Sequence, residues 1–325
     1  MELDKLDRRI LLELDKNSRQ TTSDIARTIK QGRDRVEYRI ERLQAEGILR
    51  TCTTSVNLHK LGFTIFKTYL RLENNKQRVP EFIRFLREHP RVYWIALADG
   101  SWDLMIAIFA KNPQEFYEIH NKILSAFNDI VLNFAMHTLV QIQVYRKYYL
   151  TGSGKEYSLV GGPPQENPID ATDYAILKLL SKDSRTPVTD IAKEIRSTPA
   201  IVKYRIERME KAQIITGYRI EVDLRKLGML FFKTQLFLRS YDEQTQKKFQ
   251  QYCASNPHIT FYIEQLGECT IELEIEVNDY EQYHNIIEEI RQQFSRLIRN
   301  FQTVLIRKSY FNWVPQDLVI ESPQS

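Results

Sequence analysis

Cysteine is scarce: the 325 residues contain three, Cys52, Cys253 and Cys269, with no metal-binding spacing among them. That excludes a disulfide framework and leaves isolated reduced thiols. Long apolar runs are also missing. The longest, Leu104 to Ala110, falls far short of the roughly 20 residues a membrane-spanning helix needs, so no membrane partner is expected. The opening Met-Glu-Leu-Asp has neither a basic region nor an apolar core, so no secretory signal is expected, and the expected compartment is the cytoplasm. Neither charge dominates: a formal net charge of +4 permits nucleic-acid contact without demanding it, and any decisive charge must be local. No glycine-rich phosphate loop, serine–histidine set or carboxylate pair at a catalytic spacing appears. No catalytic residue, metal or cofactor is therefore expected.

What the chain does have is a second copy of itself. A shift of 166 positions sets Tyr38-Arg39-Ile40-Glu41-Arg42 on Tyr204-Arg205-Ile206-Glu207-Arg208, and Lys60-Leu61-Gly62 on Lys226-Leu227-Gly228. Further on, a shift of 167 sets Pro90 on Pro257, Gly100 on Gly267 and Phe127 on Phe294. A period this long marks a duplicated module, since solenoid repeats run to about 20–50 residues. With 42% hydrophobic content, the chain can fill several cores.

Each copy opens with helical periodicity: Leu6, Ile10, Leu11 and Leu14, then Ile25, Ala26 and Ile29, then Val36, Ile40 and Leu43. Ile176, Leu177 and Leu180, then Ile191, Ala192 and Ile195, then Val202, Ile206 and Met209 keep that register. Thr22 or Ser23 is the expected cap of the second helix, with Val188-Thr189 its counterpart. Thr198-Pro199 reads as the start of the third helix in copy two, and Gly32 holds the matching place in copy one. Leu49 to Val56 and Ile215 to Val222 read as extended and leading away from the helices. A strand–helix–strand–strand–helix–strand order follows in each copy, which is the ferredoxin-like arrangement. The expected fold class is α+β: two winged-helix-like helix-turn-helix domains (1–61 and 169–227) and two ferredoxin-like domains (62–150 and 228–315). A linker at 151–168 is marked by Gly161-Gly162-Pro163-Pro164, and a tail is expected at 316–325.

The set Ser23-Asp24-Ile25-Ala26, Val36-x-x-Arg39-Ile40-x-Arg42-Leu43, Gly47-Ile48 and Lys60-Leu61-Gly62 resembles the Lrp/AsnC family of transcription regulators, in tandem-duplicated form. The resemblance covers the chain except linker and tail. It implies double-stranded DNA as partner and a ferredoxin-like domain that senses small molecules, often amino acids, and oligomerises.

An α-helix fits the major groove, and its exposed face reaches base edges. With Val36, Ile40 and Leu43 turned to the core, Asp34, Arg35, Tyr38 and Arg42 lie opposite, with Arg33 at the helix start. In copy two the face carries Ala200, Ile201, Tyr204 and Arg208, with Thr198 and Lys203 beside it. Arg39 and Arg205 flank the core face and suit phosphates or the bracing of the fold. The two faces differ in sequence, so unlike half-sites are expected. A single-copy relative needs a homodimer to present two helices; here an intrachain pseudo-dimer can do so, with further homo-oligomers expected.

The resemblance also points to the turn Gly100-Ser101-Trp102-Asp103, which matches the family's Gly-x-x-Asp pattern near an effector site. Gly100, Trp102 and Asp103 are the candidate effector residues. Copy two keeps Gly267 but has Thr270 in place of the aspartate, and a hydroxyl cannot supply that charge. Locally, Gly100 can equally serve a tight turn and Asp103 a cap. Two other readings stay open: a sensor or scaffold that does not bind DNA, and a haem-biosynthesis decarboxylase on the same fold, for which the histidines are too dispersed.

Overall fold

The computed structural model describes residues 3–152, 154–240 and 242–311; the expected tail lies outside them. Each copy begins with a three-helix head. In the first these are α1 (Lys5–Lys16), α2 (Thr22–Ile29) and α3 (Arg33–Ala45). The cap of α2 is Thr21, whose hydroxyl takes the Asp24 N–H at 3.1 Å, so both residues expected to cap it sit one or two places too late. Burial of Ile10, Leu14, Ile25, Val36, Ile40 and Leu43 welds the three helices, each such side chain contributing about 1.5–3 kcal/mol.

The strand β1 (Leu49–Val56) follows α3. The first ferredoxin-like unit then runs β2 (Thr64–Leu72), α4 (Arg78–Glu88), β3 (Val92–Gly100), β4 (Leu104–Ala110), α5 (Pro113–Ala126) and β5 (Val131–Tyr145). The segment read as linker holds a strand of its own, β6 (Tyr157–Gly161), which pairs with β5 along Gln141–Tyr145.

The second head has α6 (Ala171–Lys182), α7 (Val188–Glu194) and α8 (Pro199–Lys211), followed by β7 (Ile215–Val222). Here the N-cap of α7 is Pro187, which has no side-chain acceptor, and Val188 and Thr189 already belong to the helix. Its ferredoxin-like unit runs β8 (Leu230–Leu238), α9 (Glu243–Ser255), β9 (Ile259–Leu266), β10 (Ile271–Val277), α10 (Tyr280–Gln293) and β11 (Ile298–Phe311). The class is α+β.

Both units have the strand order last–first–third–second, which leaves two free edges apiece. Each edge is taken by the other unit: β3 pairs with β11 and β5 with β9. The eight strands of the two units therefore close into one antiparallel barrel, and no ferredoxin-like edge is left to attract foreign strands. Helices α4 and α5 cover its outside on one half through Phe82, Leu86, Phe116 and Ile123. Helices α9 and α10 do so on the other, through Phe249, Cys253, Ile286 and Ile290.

The barrel interior is asymmetric. In the first copy β4 points Met105, Ala107 and Phe109 inward, among the apolar residues of the interior cluster. At the corresponding places β10 carries Glu272, Glu274 and Glu276, paired across to Lys67, Lys233 and Lys147. Tyr69 also donates its hydroxyl to Glu272.

β1 and β7 do not lead away from the heads independently. They pair with each other, antiparallel, from Leu49↔Val222 to Val56↔Ile215, and so form a ribbon shared by the two copies. α1 packs on β7 and α6 on β1, so each head rests on the strand of the other copy. The hydroxyls of Thr51 and Thr54 donate to the carbonyls of Lys182 and Leu180 at the end of α6.

Candidate nucleic-acid interface

Helices α3 and α8 each turn one side into their head and the other to solvent. Val36, Ile40 and Leu43 are buried in α3, as are Val202, Ile206 and Met209 in α8. On the solvent side Tyr38 is 62% exposed and its counterpart Tyr204 65% exposed. Arg33, Asp34 and Arg35 are exposed beside Tyr38, and Thr198, Ala200, Ile201 and Lys203 beside Tyr204. Their intrachain commitments are light. Arg33 meets Glu37 at 3.3 Å, Lys203 meets Glu207 at 3.9 Å, and Arg35 donates to Gln31 Oε1 at 3.1 Å, all at the surface. Exposed pairs of this kind are worth about 0–1 kcal/mol and can be exchanged for other partners.

The two helix starts differ. Thr198 Oγ1 accepts the Ile201 N–H at 3.3 Å, whereas Gly32 gives α3 no side-chain cap. The first-turn N–H groups of α3 therefore keep their capacity to meet an anion.

The four remaining arginines are held from within. Arg39 Nη1 meets Asp4 at 2.6 Å and Asp7 at 3.1 Å, and Arg42 Nη2 meets Asp7 at 2.7 Å. Copy two repeats this: Arg205 meets Asp170 at 2.6 Å and Asp173 at 2.9 Å, and Arg208 also bonds Asp173. The helical wheel set Arg42 and Arg208 on the reading face without these partners. Their guanidiniums fold back to carboxylates on α1 and α6 that are themselves buried. Those aspartates also form the capping boxes of α1 and α6. The Asp7 N–H, first among several donors, together with Arg39, holds the Asp4 carboxyl below its ordinary value. Sequence reasoning missed the four aspartates, although Asp4/Asp170 and Asp7/Asp173 obey the same 166-residue shift as the arginines they meet.

The heads also touch each other, again through equivalent residues. Ser18 and Ser184 face each other hydroxyl to hydroxyl at 2.6 Å. Arg19 donates to the carbonyls of Ser184 and Thr186, and Arg185 to those of Ser18 and Gln20. Such a reciprocal contact is what a two-fold axis produces between separate subunits. Here it falls within one chain, and with the shared ribbon it fixes how α3 and α8 stand to one another.

The candidate effector residues sit at the seam of the barrel and do different jobs. Gly100, at φ 134°, lies against β11, where an added Cβ would stand 2.8 Å from the Thr303 carbonyl oxygen. Gly267 makes the matching approach to β5, at Met136 and His137. Trp102 is buried and donates from Nε1 to Gln235 Oε1 at 3.2 Å, across the seam. Asp103 accepts the Leu72 N–H at 2.8 Å and has Arg71 at 3.4 Å. Its half-exposed carboxylate thus has a local task, while Trp102 is turned into the barrel.

Comparison with known proteins adds three matching domain families. Residues 3–50 match the winged helix-turn-helix DNA-binding family, 169–210 the AsnC-type helix-turn-helix domain, and 68–145 the Lrp/AsnC ligand binding domain. An uncharacterised HTH-type transcriptional regulator of Pyrococcus horikoshii is 34% identical over 119 residues, covering 36% of this chain and 79% of that protein. The HTH-type transcriptional regulator LrpA of the same organism is 45% identical over 60 residues, 18% of this chain and 43% of that protein. The regulatory protein AsnC of Haemophilus influenzae is 42% identical over 60 residues, 18% and 40% respectively. Among solved structures, the siroheme decarboxylase NirDL covers 94% of this chain with 92% of its own, at a TM-score of 0.62 and 12% identity, a likeness of fold alone. From two helix-turn-helix heads, ferredoxin-like units and these relatives, the chain belongs to the Lrp/AsnC family of DNA-binding transcription regulators.

Proposed function

We propose that this chain is a sequence-specific transcription regulator that grips a bipartite operator as a single-chain pseudo-dimer, one head on each half-site. The observation that carries this reading is the pair of equivalent helix faces, solvent-exposed, unlike in sequence and held by a shared ribbon. On α3 the proposed base readers are Arg33, Asp34, Arg35 and Tyr38. On α8 they are Thr198, Ala200, Ile201, Lys203 and Tyr204, with Ile201 suited to a thymine methyl. Arg39, Arg42, Arg205 and Arg208 act chiefly as braces that aim the helices, with their outer edges towards phosphates. Placing both heads in one chain makes the second contact intramolecular, at an effective concentration of roughly millimolar.

Selection of bound duplexes from a random pool tests this. The expected result is a site with two unlike halves, from which Arg35→Ala removes discrimination at one half by about 1–3 kcal/mol. A perfect palindrome would overturn the expectation of unlike halves, and an unchanged site for the variant the assignment of Arg35.

The ligand binding domain family matched by the first copy supports an effector, an amino acid being the class implied by the family. The turn Gly100–Asp103 is our candidate for it. We place the protein in the cytoplasm with its DNA. A surface strip on β5, formed by exposed Leu132, Phe134, Met136 and Val140, supports association with a second copy.

The whole-chain likeness to a decarboxylase is the one observation that favours an enzyme. The residues inside this barrel argue against it. Lys67, Lys147 and Lys233 are each matched by a glutamate, which leaves a polycarboxylate macrocycle without counter-charges. No histidine among the described residues lines the cavity between barrel and ribbon. Turnover of siroheme-type substrates by purified protein would reverse this reading.

A further inference from the structure

The first turns of α3 and α8 differ in kind: one is charged, and the other has almost nothing with which to hydrogen-bond. The 166-residue shift sets Arg33, Asp34 and Arg35 on Pro199, Ala200 and Ile201, and all six are exposed. One turn further on the faces agree, with Tyr38 matched by Tyr204 and Glu41 by Glu207. The shared ribbon and the reciprocal contact between the heads relate the two copies as a two-fold axis relates subunits. Equivalent side chains then meet equivalent base pairs of the two half-sites. Shared residues cannot tell those halves apart, so the distinction falls to the first turns.

Asp34 makes no hydrogen bond or ion pair among the described residues, and it stands at the start of α3, where side chains reach base edges. Phosphates repel a carboxylate. In a groove it needs an amino group, and cytosine N4 is the donor that suits it. Arg35, the next residue, has among the described residues a single surface bond, to Gln31 Oε1 at 3.1 Å. Its guanidinium can take guanine O6 and N7 together, the commonest specific contact in the major groove.

The start of α8 has no such groups. Pro199 and Ala200 carry no polar side-chain atom, and the Thr198 hydroxyl is engaged in accepting the Ile201 N–H at 3.3 Å. Ile201 is a branched apolar side chain left 46% exposed. The group that a major groove offers to such a side chain is the thymine methyl. Lys203 lies two places beyond Ile201, on another flank of the helix, and is drawn to Glu207 at 3.9 Å.

We infer that, at equivalent places, the half-site under α3 carries G·C pairs and the half-site under α8 carries A·T pairs. Asp34 and Arg35 read the first, and Ala200 and Ile201 the second. This rests on the operator reading above and adds the base pairs to it. It also gives the site a direction, since the chain fits it one way round.

The test starts from the duplex that the full chain selects. The double variant Asp34→Ala, Arg35→Ile changes exposed residues alone, and its selected site should have two A·T halves. The reverse exchange, Ala200→Asp with Ile201→Arg, should give two G·C halves and serves if the first variant does not fold. Base analogues then probe the parent site half by half. 7-Deazaguanine, which lacks the N7 acceptor, should weaken binding about fivefold or more in the half that the first variant alters. Deoxyuridine in place of thymidine removes only the methyl and should weaken binding about fourfold in the other half. Identical bases at equivalent places, halves that survive both exchanges, or halves that respond alike to the two analogues would overturn the inference and leave a bipartite operator standing. A chain that selects no duplex would remove the operator and this inference with it.

Discussion

Asp7 decides what two arginines can do. It is buried, closes the capping box of α1, and receives both Arg39 and Arg42 from the reading helix. Asp7→Asn keeps the shape but removes the charge from this centre. The expected cost is about 1–3 kcal/mol in urea unfolding, less than for a fully buried pair because both guanidiniums can still reach water. Unchanged stability would mean that the arginines do not brace the head. Inside the barrel the stakes are higher. Burial opposes ionisation of Glu272, but Lys233 and Lys67 outweigh it, so its carboxyl titrates well below the ordinary glutamate range. A depressed folded-state value means that its stabilisation is complete above the unfolded value near 4.5 and is lost as pH falls toward the folded one. Glu272→Gln should therefore be weaker by about 3–5 kcal/mol at neutral pH and lose less than the parent between there and about pH 3, in urea titrations.

At the scale of elements, local pattern carried far and then stopped at the boundary between copies. The helical registers of Val36-Ile40-Leu43 and Val202-Ile206-Met209 were legible because each repeats a period that only a helix satisfies. So were the unit's strand order and the exposed Tyr38 and Tyr204. The sequence Ile271-Glu272-Leu273-Glu274-Ile275-Glu276 was legible as a strand but not as an inward acidic row, because such alternation ordinarily puts acids in water. Two of the lysines that meet them, Lys67 and Lys147, come from the other half, more than a hundred residues away, and the third, Lys233, from the neighbouring strand β8. β1 and β7 were likewise read as extended without their pairing across the copies. Arg42 and Arg208 were read without their aspartates for another reason: these lie 35 positions away on a different helix of the same copy, and a helical wheel shows only its own helix. The crossed ribbon makes its own prediction. A protease site placed between Thr151 and Lys155, cleaved after folding, should leave two fragments that co-elute in size exclusion, since β1–β7, β3–β11 and β5–β9 still join them. Fragments that separate without denaturant would refute that arrangement.

For the whole molecule, closure of the barrel within one chain leaves the outside of β5 as the apolar surface in want of a cover. Leu132, Phe134 and Met136 are 63%, 41% and 47% exposed, and Leu266 lies on the neighbouring strand. If these residues join copies, Phe134→Glu with Met136→Glu should lower the sedimentation mass to that of a single chain without lowering the melting temperature. A parent protein already sedimenting as one chain would remove the surface from that role.

The unequal filling of the barrel has one more consequence, for the company this protein can keep. Two first halves closed together would bring in Lys67 twice with Met105, Ala107 and Phe109 where its acids should be. Two second halves would seal six glutamates around a pair of Lys233 side chains. Either mismatch strands charge in a buried interior, which is far costlier than any surface repulsion. Duplication followed by this division of charge has made each half a poor mate for its own kind.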